Sequence, residues 1–312
     1  MSTTVDVVVP TWNGFELTDS CLRQLAAQTV SHSVIVADDG STDGTPARVR
    51  ARHRARVVEL GENRGFAAAC NAGVAASEGE VIVLLNNDVD ARPDFLERLL
   101  APLAEAPRAG SVAATMVMPG ERMIDSVGLS ADRTLAGFAR LHGRPLSEAA
   151  SPTPLLAGPS GGAGAYRRCA WVEAGGLDEA IFAYHEDLDL ALRLRTAGWD
   201  ALAAPDAVAV HVGGATIGRR SAAQRERAGF ARGYLLRRYG VLRGPAAPRA
   251  LVTEALVGVA DALSARDAAA LRGRLAGWRA AAGLPRERAP VEAIDRSIDL
   301  RESMRLRRVA LR

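Results

Sequence analysis

Short apolar runs alternate, over the first third of the chain, with segments whose apolar residues recur at helical spacing. The predicted strands are residues 5–9, 33–37, 57–60, 81–85 and 111–117. The predicted helices are residues 17–28, 45–54, 66–76 and 93–103. A nearly continuous apolar run such as Val5-Asp6-Val7-Val8-Val9 is typical of a strand buried on both faces, as in parallel sheets. We therefore predict an α/β fold in which helices flank a mostly parallel sheet.

The pattern weakens after residue 118. Glycine, proline and serine accumulate in residues 119–157, which are predicted to form loops and a short hairpin. A glycine-rich stretch follows at residues 158–164, where backbone without side chains would let a ligand pass close by. A helix is predicted to begin near Glu186, and a strand over residues 207–210 ends at His211.

Length and composition fit one large domain with an appended region. The chain has 312 residues, of which 48% are hydrophobic and 24% charged, as expected of a globular protein. We predict a main domain over residues 1–216, with halves 1–118 and 119–216, and an arginine-rich helical region over residues 217–312. Because no run approaches the roughly 20 apolar residues of a membrane-spanning helix, and no signal-peptide pattern precedes the first strand, we expect a cytoplasmic protein.

Residue types exclude several classes of function. The chain has 39 lysine and arginine residues, and all of them are arginine, which excludes a lysine Schiff base and a Walker-type phosphate loop. A net charge of +3 and an aromatic content of 4% give no argument for nucleic-acid binding. Cys21, Cys70 and Cys169 show no CxxC spacing, so we expect three small buried side chains rather than a zinc site or disulfides.

Polar clusters follow three of the predicted strands. They are Thr11-Trp12-Asn13, Asp38-Asp39 and Asn86-Asn87-Asp88. Because the carboxyl ends of parallel strands meet at one edge of a sheet, we expect these clusters to border one ligand site. The first turn lacks the GxGxxG pattern of dinucleotide-binding proteins. It can instead offer backbone groups and an amide to a base or ribose, or be an ordinary turn.

Each candidate has a functional and a structural interpretation. The Asp38-Asp39 turn can accept a hydrogen bond from a nucleobase or form an Asx turn. Oxygen atoms in residues 86–88 suit Mg²⁺ or Mn²⁺, or else form a polar turn. The Glu186-Asp187 pair falls in the first turn of a predicted helix, where the helix dipole favours carboxylates, either as a cap or as an ionised general base. His211 fits a ligand at the sheet edge or a structural histidine.

The order and spacing of these motifs resemble those of family 2 of the inverting nucleotide-sugar glycosyltransferases, which have the GT-A fold. Within that family the resemblance is nearest to the bacterial rhamnosyltransferase-like branch, and it extends over about residues 5–240. The motifs that carry it are residues 9–14, 36–44, 63–66, 71–73, 85–88 and 175–199. The resemblance implies a single displacement, with inversion, at the anomeric carbon of a nucleotide diphosphate sugar.

The resemblance also implies a role for each cluster. The residues it places around the nucleotide sugar are Pro10, Thr11, Asn13, Asp38, Asp39, Arg64, Asn71, Asn86 and Asn87. It makes Asp88 a ligand of Mn²⁺ or Mg²⁺, with His211 as a further ligand. It makes Glu186 and Asp187 the catalytic pair that holds the acceptor-activating base, which in the family is usually the aspartate. Asn86 replaces the first carboxylate of the usual metal-binding motif, so we expect it to serve the ribose or the outer shell of the metal.

The sequence alone does not identify the donor or the acceptor. The donor is expected to be a dTDP-, UDP- or GDP-sugar, and the acceptor a glycan, a lipid-linked molecule or a small molecule, with no nucleic-acid partner and no predicted oligomeric state. A nucleotidyltransferase would need a glycine-rich signature with a basic residue after the first strand, and this chain lacks both. A non-catalytic sugar-nucleotide-binding protein would tolerate loss of the Glu186-Asp187 pair, which is intact here.

The segment 219–243 is strongly basic. It carries eight arginines and one acid, Glu226, with Phe230 and Tyr234 on successive helical turns. Such a helix could lie on the anionic inner face of a membrane, with its aromatic rings at the interface. The alternative is that the rings pack on the main domain and the arginines remain in water. We therefore hold peripheral membrane contact through this segment as a hypothesis.

Overall fold

The computed structural model describes residues 3–212 and 221–310. The strands are β1 (Val5–Thr11), β2 (Ser33–Asp38), β3 (Arg56–Glu59), β4 (Val81–Leu85), β5 (Val89–Ala91), β6 (Ala109–Val117), β7 (Ile124–Ser126), β8 (Leu129–Ala131), β9 (Gly137–Ala139), β10 (Ala163–Arg167) and β11 (Asp200–His211). The helices are α1 (Phe15–Ala26), α2 (Thr45–Arg52), α3 (Phe66–Ala75), α4 (Phe95–Glu105), α5 (Arg168–Ala174), α6 (Glu186–Thr196), α7 (Ala222–Arg238), α8 (Ala247–Ala265), α9 (Ala269–Ala280) and α10 (Leu300–Ala310).

Nine of the described strands form one sheet. Its order is β3-β2-β1-β4-β10-β6-β11-β5, with β7 beside β6. Strands β1, β2, β3, β4, β6 and β11 run in one direction, and β5, β7 and β10 run against them. The prediction of a mostly parallel sheet is confirmed. The carboxyl ends of β1, β2, β4, β6 and β11 therefore lie along one edge, which we call the carboxyl edge.

Alternate residues of the central strands enter two different cores. In β4, Val81, Val83 and Leu85 pack in a core with α1 and α4, whereas Ile82 and Leu84 pack in a second core with α3, α5 and α6. Burying such a side chain stabilises the fold by about 1.5–3 kcal/mol. Burial on both faces explains the continuous apolar runs in the sequence, and it holds the carboxyl edge on a rigid support.

Three features differ from the expectations. β10 lies in the middle of the sheet although glycine and alanine give it little apolar signal, and a Cβ on Gly164 would stand 2.5 Å from the Cβ of Pro159. β11 begins at Asp200, well before the predicted start at residue 207. The apolar pattern did not reveal its first half, because that half is only partly buried. Cys169 is exposed, so the expected burial holds only for the other two cysteines. The predicted hairpin is confirmed as β8 and β9.

The C-terminal helices pack closely on one another and on the main domain. A Cβ on Gly233 of α7 would stand 1.9 Å from the carbonyl oxygen of Arg274, and one on Gly277 of α9 would stand 1.9 Å from that of Phe230. Glycine at both positions lets the two backbones touch. Tyr234 shares a buried apolar core with α6. The predicted boundary between residues 216 and 217, where the helical region was expected to begin, lies outside the described residues and stays a prediction.

The orientation of α7 contradicts the hypothesis that its aromatic rings enter a membrane. Tyr234 is 2% exposed, and its hydroxyl donates to Asp178 Oδ2 at 2.7 Å. Phe230 packs against the same core. The rings face inward because they complete the apolar contact between α7 and α6.

The arginines of α7 are not simply solvated either. Arg232 pairs with Glu254 at 2.8 Å, and Arg238 pairs with Glu287 at 2.9 Å. Both arginine side chains are largely buried, so their charges serve internal ion pairs. The first two arginines of the basic segment, at positions 219 and 220, lie outside the described residues.

Candidate functional site

The turns after β1 and β2 are joined by side-chain hydrogen bonds. Asn13 is exposed, and its side-chain oxygen accepts a hydrogen bond from the backbone N–H of Thr42 at 2.7 Å. The backbone N–H of Ser41 donates to Asp38 Oδ2 at 2.9 Å. Asp38 is 1% exposed, and its second oxygen, Oδ1, has no hydrogen-bond partner. The turns therefore leave one buried acceptor free at the carboxyl edge.

Asp39 holds a neighbouring loop against these turns. Its two oxygens accept hydrogen bonds from the backbone N–H groups of Arg64 at 2.7 Å and Gly65 at 2.9 Å. Burial raises the pKa of Asp39, and these two donors act against the rise. Gly65 has φ +97°, and a Cβ there would stand 2.4 Å from the carbonyl oxygen of Phe182. Asp39 thus positions the backbone between the β2 turn and the segment before α6.

Arg64 and Asn71 both contact Glu179. The Arg64 guanidinium lies 2.9 Å from Glu179 Oε2, and the Asn71 amide donates to Glu179 Oε1 at 3.1 Å and to the carbonyl oxygen of Leu177 at 2.8 Å. The Arg64 side chain is 51% exposed, so its charge is accessible to a ligand. The Asn71 amide instead ties α3 to residues 177–179.

Pro10, Thr11 and Asn87 lie inside the fold. The Asn87 amide donates to the hydroxyls of Thr11 at 3.2 Å and Thr18 at 3.1 Å, and these two hydroxyls lie 2.8 Å apart. All four residues are buried. Asn87 and Thr11 therefore join the end of β4 to β1 and α1 beneath the carboxyl edge, and Pro10 is buried beside them in β1.

His211 stands between two carboxylates. Its Nε2 lies 3.6 Å from Asp88 Oδ1, and its Nδ1 lies 2.7 Å from Asp125 Oδ2. Burial alone would lower the pKa of His211, but hydrogen bonds to Asp125 and Asp88 outweigh it and raise the pKa to about 10. Asp125 also contacts His142, at 3.4 Å, and the two histidines hold its pKa well below the usual range despite burial. The side chains of Asp125, His211 and Asp88 form a row from β7 through β11 to the end of β4.

The Glu186-Asp187 pair begins α6. Asp187 Oδ2 accepts a hydrogen bond from the backbone N–H of Gly161 at 2.8 Å, and its Oδ1 accepts one from that of Leu188 at 2.7 Å. Burial raises the pKa of Asp187, whereas the two N–H donors favour its charged form. Glu186 is 5% exposed, and its Oε2 has no partner. Burial and the charge of Asp187 raise the pKa of Glu186 well above its usual range.

Two consecutive glycines connect the end of β4 with this carboxylate pair. The backbone N–H of Asn86 donates to the carbonyl oxygen of Gly162 at 2.9 Å. The preceding residue, Gly161, is the donor to Asp187. The structure therefore brings the Asn86–Asp88 cluster and the Glu186-Asp187 pair together, although about one hundred residues separate them in the chain.

Unpartnered acceptors gather at the carboxyl edge. Three buried oxygens of described residues there have no hydrogen-bond partner: Asp38 Oδ1, Asn86 Oδ1 and Glu186 Oε2. Leaving a buried polar group unpaired costs about 1–3 kcal/mol, so most such groups in native proteins are paired. These three acceptors are therefore available to donors of a polar ligand.

The residues fit a divalent ion that arrives together with a substrate. Within residues 3–212 and 221–310, no group of three or more histidine, cysteine, aspartate or glutamate side chains is arranged to hold a metal. Asp88 offers one carboxylate, 11% exposed, and His211 one ring nitrogen, Nε2, whose proton the ion would have to displace; Asn86, two residues before Asp88, has an unpartnered oxygen. Mg²⁺ and Mn²⁺ are commonly held by one or two protein groups, with phosphate oxygens and water completing the shell. This donor set suits such an ion and not a preformed protein cage.

Two residues that contribute to the candidate site, Asp125 and Gly161, are not among the residues predicted from the sequence. Asp125 lies in the segment predicted as loops and a hairpin, where no periodicity marks it. Gly161 acts through its backbone N–H, which no residue pattern reveals. The glycine-rich stretch 158–164 was the nearest signal, since glycine allows a backbone to approach a functional group.

Comparisons with known sequences point to glycosyltransferases. A sequence model of glycosyl transferase family 2 matches residues 6–168. The chain is 31% identical over 213 residues to the N-acetylglucosaminyl-diphospho-decaprenol L-rhamnosyltransferase of Mycobacterium tuberculosis, and the match covers 60% of this chain and 68% of that protein.

Solved structures share the fold. The mannosyltransferase PcManGT from Pyrobaculum calidifontis, in complex with GDP-Man and Mn²⁺, is 24% identical with a TM-score of 0.56, over 92% of this chain and 77% of that chain. TarS of S. aureus, in complex with UDP, is 17% identical with a TM-score of 0.50, over 75% of this chain and 65% of that chain. Both the family match and these neighbours agree with the GT-A architecture expected from the motifs. The chain belongs to glycosyl transferase family 2, and it is a glycosyltransferase with the GT-A fold.

Proposed function

We propose that this glycosyltransferase moves a sugar from a nucleotide diphosphate sugar to an acceptor hydroxyl in a single, inverting displacement. The observation that carries the proposal is the short connection through Gly161 and Gly162. It holds the Asp187 carboxylate beside Asn86 and Asp88, the residues assigned to the diphosphate. A base and a diphosphate site must be neighbours if one sugar is to lie between them.

The nucleotide is assigned to the turns after β1 and β2. The free oxygen of Asp38 is an acceptor for an N–H group of the base, and exposed Asn13 borders the same turn. Arg64 offers a half-exposed positive charge. Asp39 supports this surface by fixing the backbone of the 64–65 loop, and Asn71, Asn87, Thr11 and Pro10 support it from the interior.

The diphosphate is assigned to Asp88, His211 and Asn86. A divalent ion, Mn²⁺ or Mg²⁺, would neutralise the charge that develops on the leaving diphosphate. Asp125 binds the Nδ1 side of His211 and leaves Nε2 on the side of Asp88. A carboxylate behind a ligating histidine fixes its tautomer and ring orientation, and we assign this positioning role to Asp125. The Mn²⁺ in the Pyrobaculum neighbour supports the assignment.

Asp187 is assigned as the base. Its carboxylate accepts the proton of the acceptor hydroxyl while that oxygen bonds to the anomeric carbon and the bond from carbon to the diphosphate oxygen breaks. Two backbone N–H donors stabilise the charged carboxylate that this step needs. Burial and the charge of Asp187 raise the pKa of Glu186, whose Oε2 has no hydrogen-bond partner, whereas both oxygens of Asp187 accept backbone donors, so Asp187 is the better-supported carboxylate of the pair.

The substrates are inferred from the relatives. The mycobacterial relative is named for an L-rhamnosyl transfer to a diphospho-decaprenol-linked sugar. We take a diphosphate-linked lipid as the acceptor class for this chain and a rhamnosyl nucleotide as the first donor to test. UDP-sugars and GDP-sugars are the next donors to test, because the structural neighbours hold UDP and GDP-Man.

A thermal-shift panel of dTDP-, UDP- and GDP-sugars, with and without Mn²⁺, tests the donor site. A ligand at one hundred times its dissociation constant stabilises a protein by about 2.7 kcal/mol, so one nucleotide class should stand out, and Mn²⁺ should enlarge its effect. With that donor and a lipid diphosphate acceptor, proton NMR of the product should show the inverted anomer. Retention would contradict the single displacement, and a donor that binds but is never consumed would indicate a non-catalytic binding protein.

A further inference from the structure

The outward face of α8 carries no charge. The exposed side chains of this helix are Pro248, Leu251, Val252, Ala255, Leu256, Val259, Ala260, Leu263 and Ser264. Leu263 is 74% exposed, and Leu251, Val252, Leu256 and Val259 are each more than half exposed. A surface helix normally turns its polar face outward. In α8 the large apolar residues face outward instead.

The charged residues of α8 face inward and are paired there. Glu254 binds Arg232 at 2.8 Å and Arg274 at 3.0 Å. Arg249 binds Asp132, a fully buried carboxylate, at 2.9 Å. Breaking a buried ion pair leaves an uncompensated charge, so these contacts fix the rotation of the helix about its axis. The apolar residues are therefore held outward by the fold.

Helix α9 extends the apolar face and supplies positive charge. Leu271 and Leu275 are 39% and 50% exposed, and α9 meets α8 where a Cβ on Gly258 would stand 2.6 Å from the Leu271 side chain. The exposed charged residues in 247–280 are all arginine: Arg266, Arg272 and Arg279. No aspartate or glutamate in this described stretch is exposed. We call these outward residues of 247–280 the α8/α9 face.

We propose that the α8/α9 face docks on an anionic lipid bilayer. Its leucine and valine side chains would enter the interfacial region, while the three arginines meet lipid phosphates, each contributing to attraction by the negative surface. A second copy of the chain fits less well, because a two-fold contact would bring arginine-bordered patches together without an exposed acid to pair with them. The inference stands on the face itself, and it takes from the proposed function only the expectation of a lipid-linked acceptor.

The mode of binding is contact with the membrane surface. No helix among residues 3–212 and 221–310 is long and apolar enough to cross a bilayer. Helix α8 itself contains Arg249, Glu254 and Asp261, all turned away from the α8/α9 face. Binding should therefore be reversible and weakened by salt, because the arginine contribution is screened over about 10 Å at 0.1 M salt.

Co-sedimentation of the purified chain with vesicles tests the proposal. The vesicles contain phosphatidylcholine with about one third phosphatidylglycerol, or phosphatidylcholine alone. Replacing Leu256→Gln together with Leu263→Gln should lower the partition coefficient at least tenfold. The matched control is Val172→Gln, an exposed apolar residue of α5 at 67% exposure, which should change nothing. Replacing Arg272→Gln with Arg279→Gln should remove most of the preference for the anionic vesicles.

Each alternative has its own outcome. Absence of binding to anionic vesicles at low salt, or binding that the leucine pair does not change, overturns the proposal. If sedimentation velocity shows a dimer that the leucine pair converts to a monomer, without vesicle binding, the α8/α9 face is a contact between copies and the proposal is wrong. Melting temperatures confirm that the variants are folded. Because no donor or acceptor is present, failure here leaves glycosyl transfer untouched, whereas failure of the donor panel leaves vesicle binding untouched.

Discussion

Replacing Asp187 with asparagine separates proton transfer from substrate binding. In the structure each oxygen of Asp187 accepts one backbone hydrogen bond, from Gly161 at 2.8 Å and from Leu188 at 2.7 Å. Asparagine keeps one oxygen and replaces the other with an NH₂ group that cannot accept, so one of these two part-buried N–H groups loses its acceptor. That loss costs about 1–3 kcal/mol of unfolding free energy. We expect a melting temperature lowered by roughly 2–4 °C for each kcal/mol, in a chain that still folds.

The effect on catalysis should be much larger than the effect on stability. The variant has no proton acceptor, and loss of a positioned general base costs about 10²–10⁴-fold in turnover. Donor affinity should stay within about threefold, because Asp187 is assigned to the acceptor hydroxyl. Turnover is measured as release of nucleoside diphosphate in the presence of acceptor, and donor affinity by calorimetry on the same preparation.

Glu186→Gln is the matched control. Glutamine preserves a polar side chain of the same size at this buried position, where burial already disfavours a charge, and the proton is assigned to Asp187, so turnover should fall by less than about tenfold. Near-normal turnover in Asp187→Asn would refute the assignment of the base. A large loss in Glu186→Gln alone would move that role to Glu186. A parallel collapse of donor affinity in folded Asp187→Asn would show that Asp187 acts on the donor.

Three further predictions concern other parts of the chain. Asp125→Asn should weaken Mn²⁺-dependent donor binding about 10–100-fold, because His211 loses its orienting carboxylate, and an unchanged Mn²⁺ titration in a thermal-shift assay would contradict this. Burial opposes ionisation of Glu254, but three arginines lower its pKa to about 2, so its stabilising contribution is complete above about pH 4.5 and is lost as the pH falls toward 2. Glu254→Gln should therefore lower the unfolding free energy at pH 7 by about 3–5 kcal/mol and flatten its dependence on acid, as measured by urea unfolding; an equally steep acid dependence would argue against it. Gly65→Ala should cost more than about 2 kcal/mol, because φ +97° and the 2.4 Å approach to Phe182 leave no room for a Cβ, and an unchanged melting temperature would show that the loop can move aside.

The apolar pattern predicted the parallel half of the sheet because those strands are buried on both faces. Residues 81–85 are all buried, so each of them had to be apolar whichever face it meets. The same reasoning did not find β10, which lies between β4 and β6 in the sheet. Its place depends on pairing between segments far apart in the chain, and a periodic pattern contains no information about pairing.

The sequence by itself determined which polar residues stand at the strand ends and in the first turn of α6, since those positions follow directly from local periodicity. Only the tertiary structure decided which of them are buried inside the fold and which keep free groups at the carboxyl edge. Asn87 turns inward because two threonine hydroxyls accept its amide, and Asp125 reaches His211 from 86 residues away. The distribution of surface charge likewise depends on the fold: the basic helix α7 pairs Arg232 and Arg238 with buried or half-buried acids, whereas α8 exposes its leucines. Burial and hydrogen bonding are properties of contacts between distant segments, so they exist only once the chain has folded.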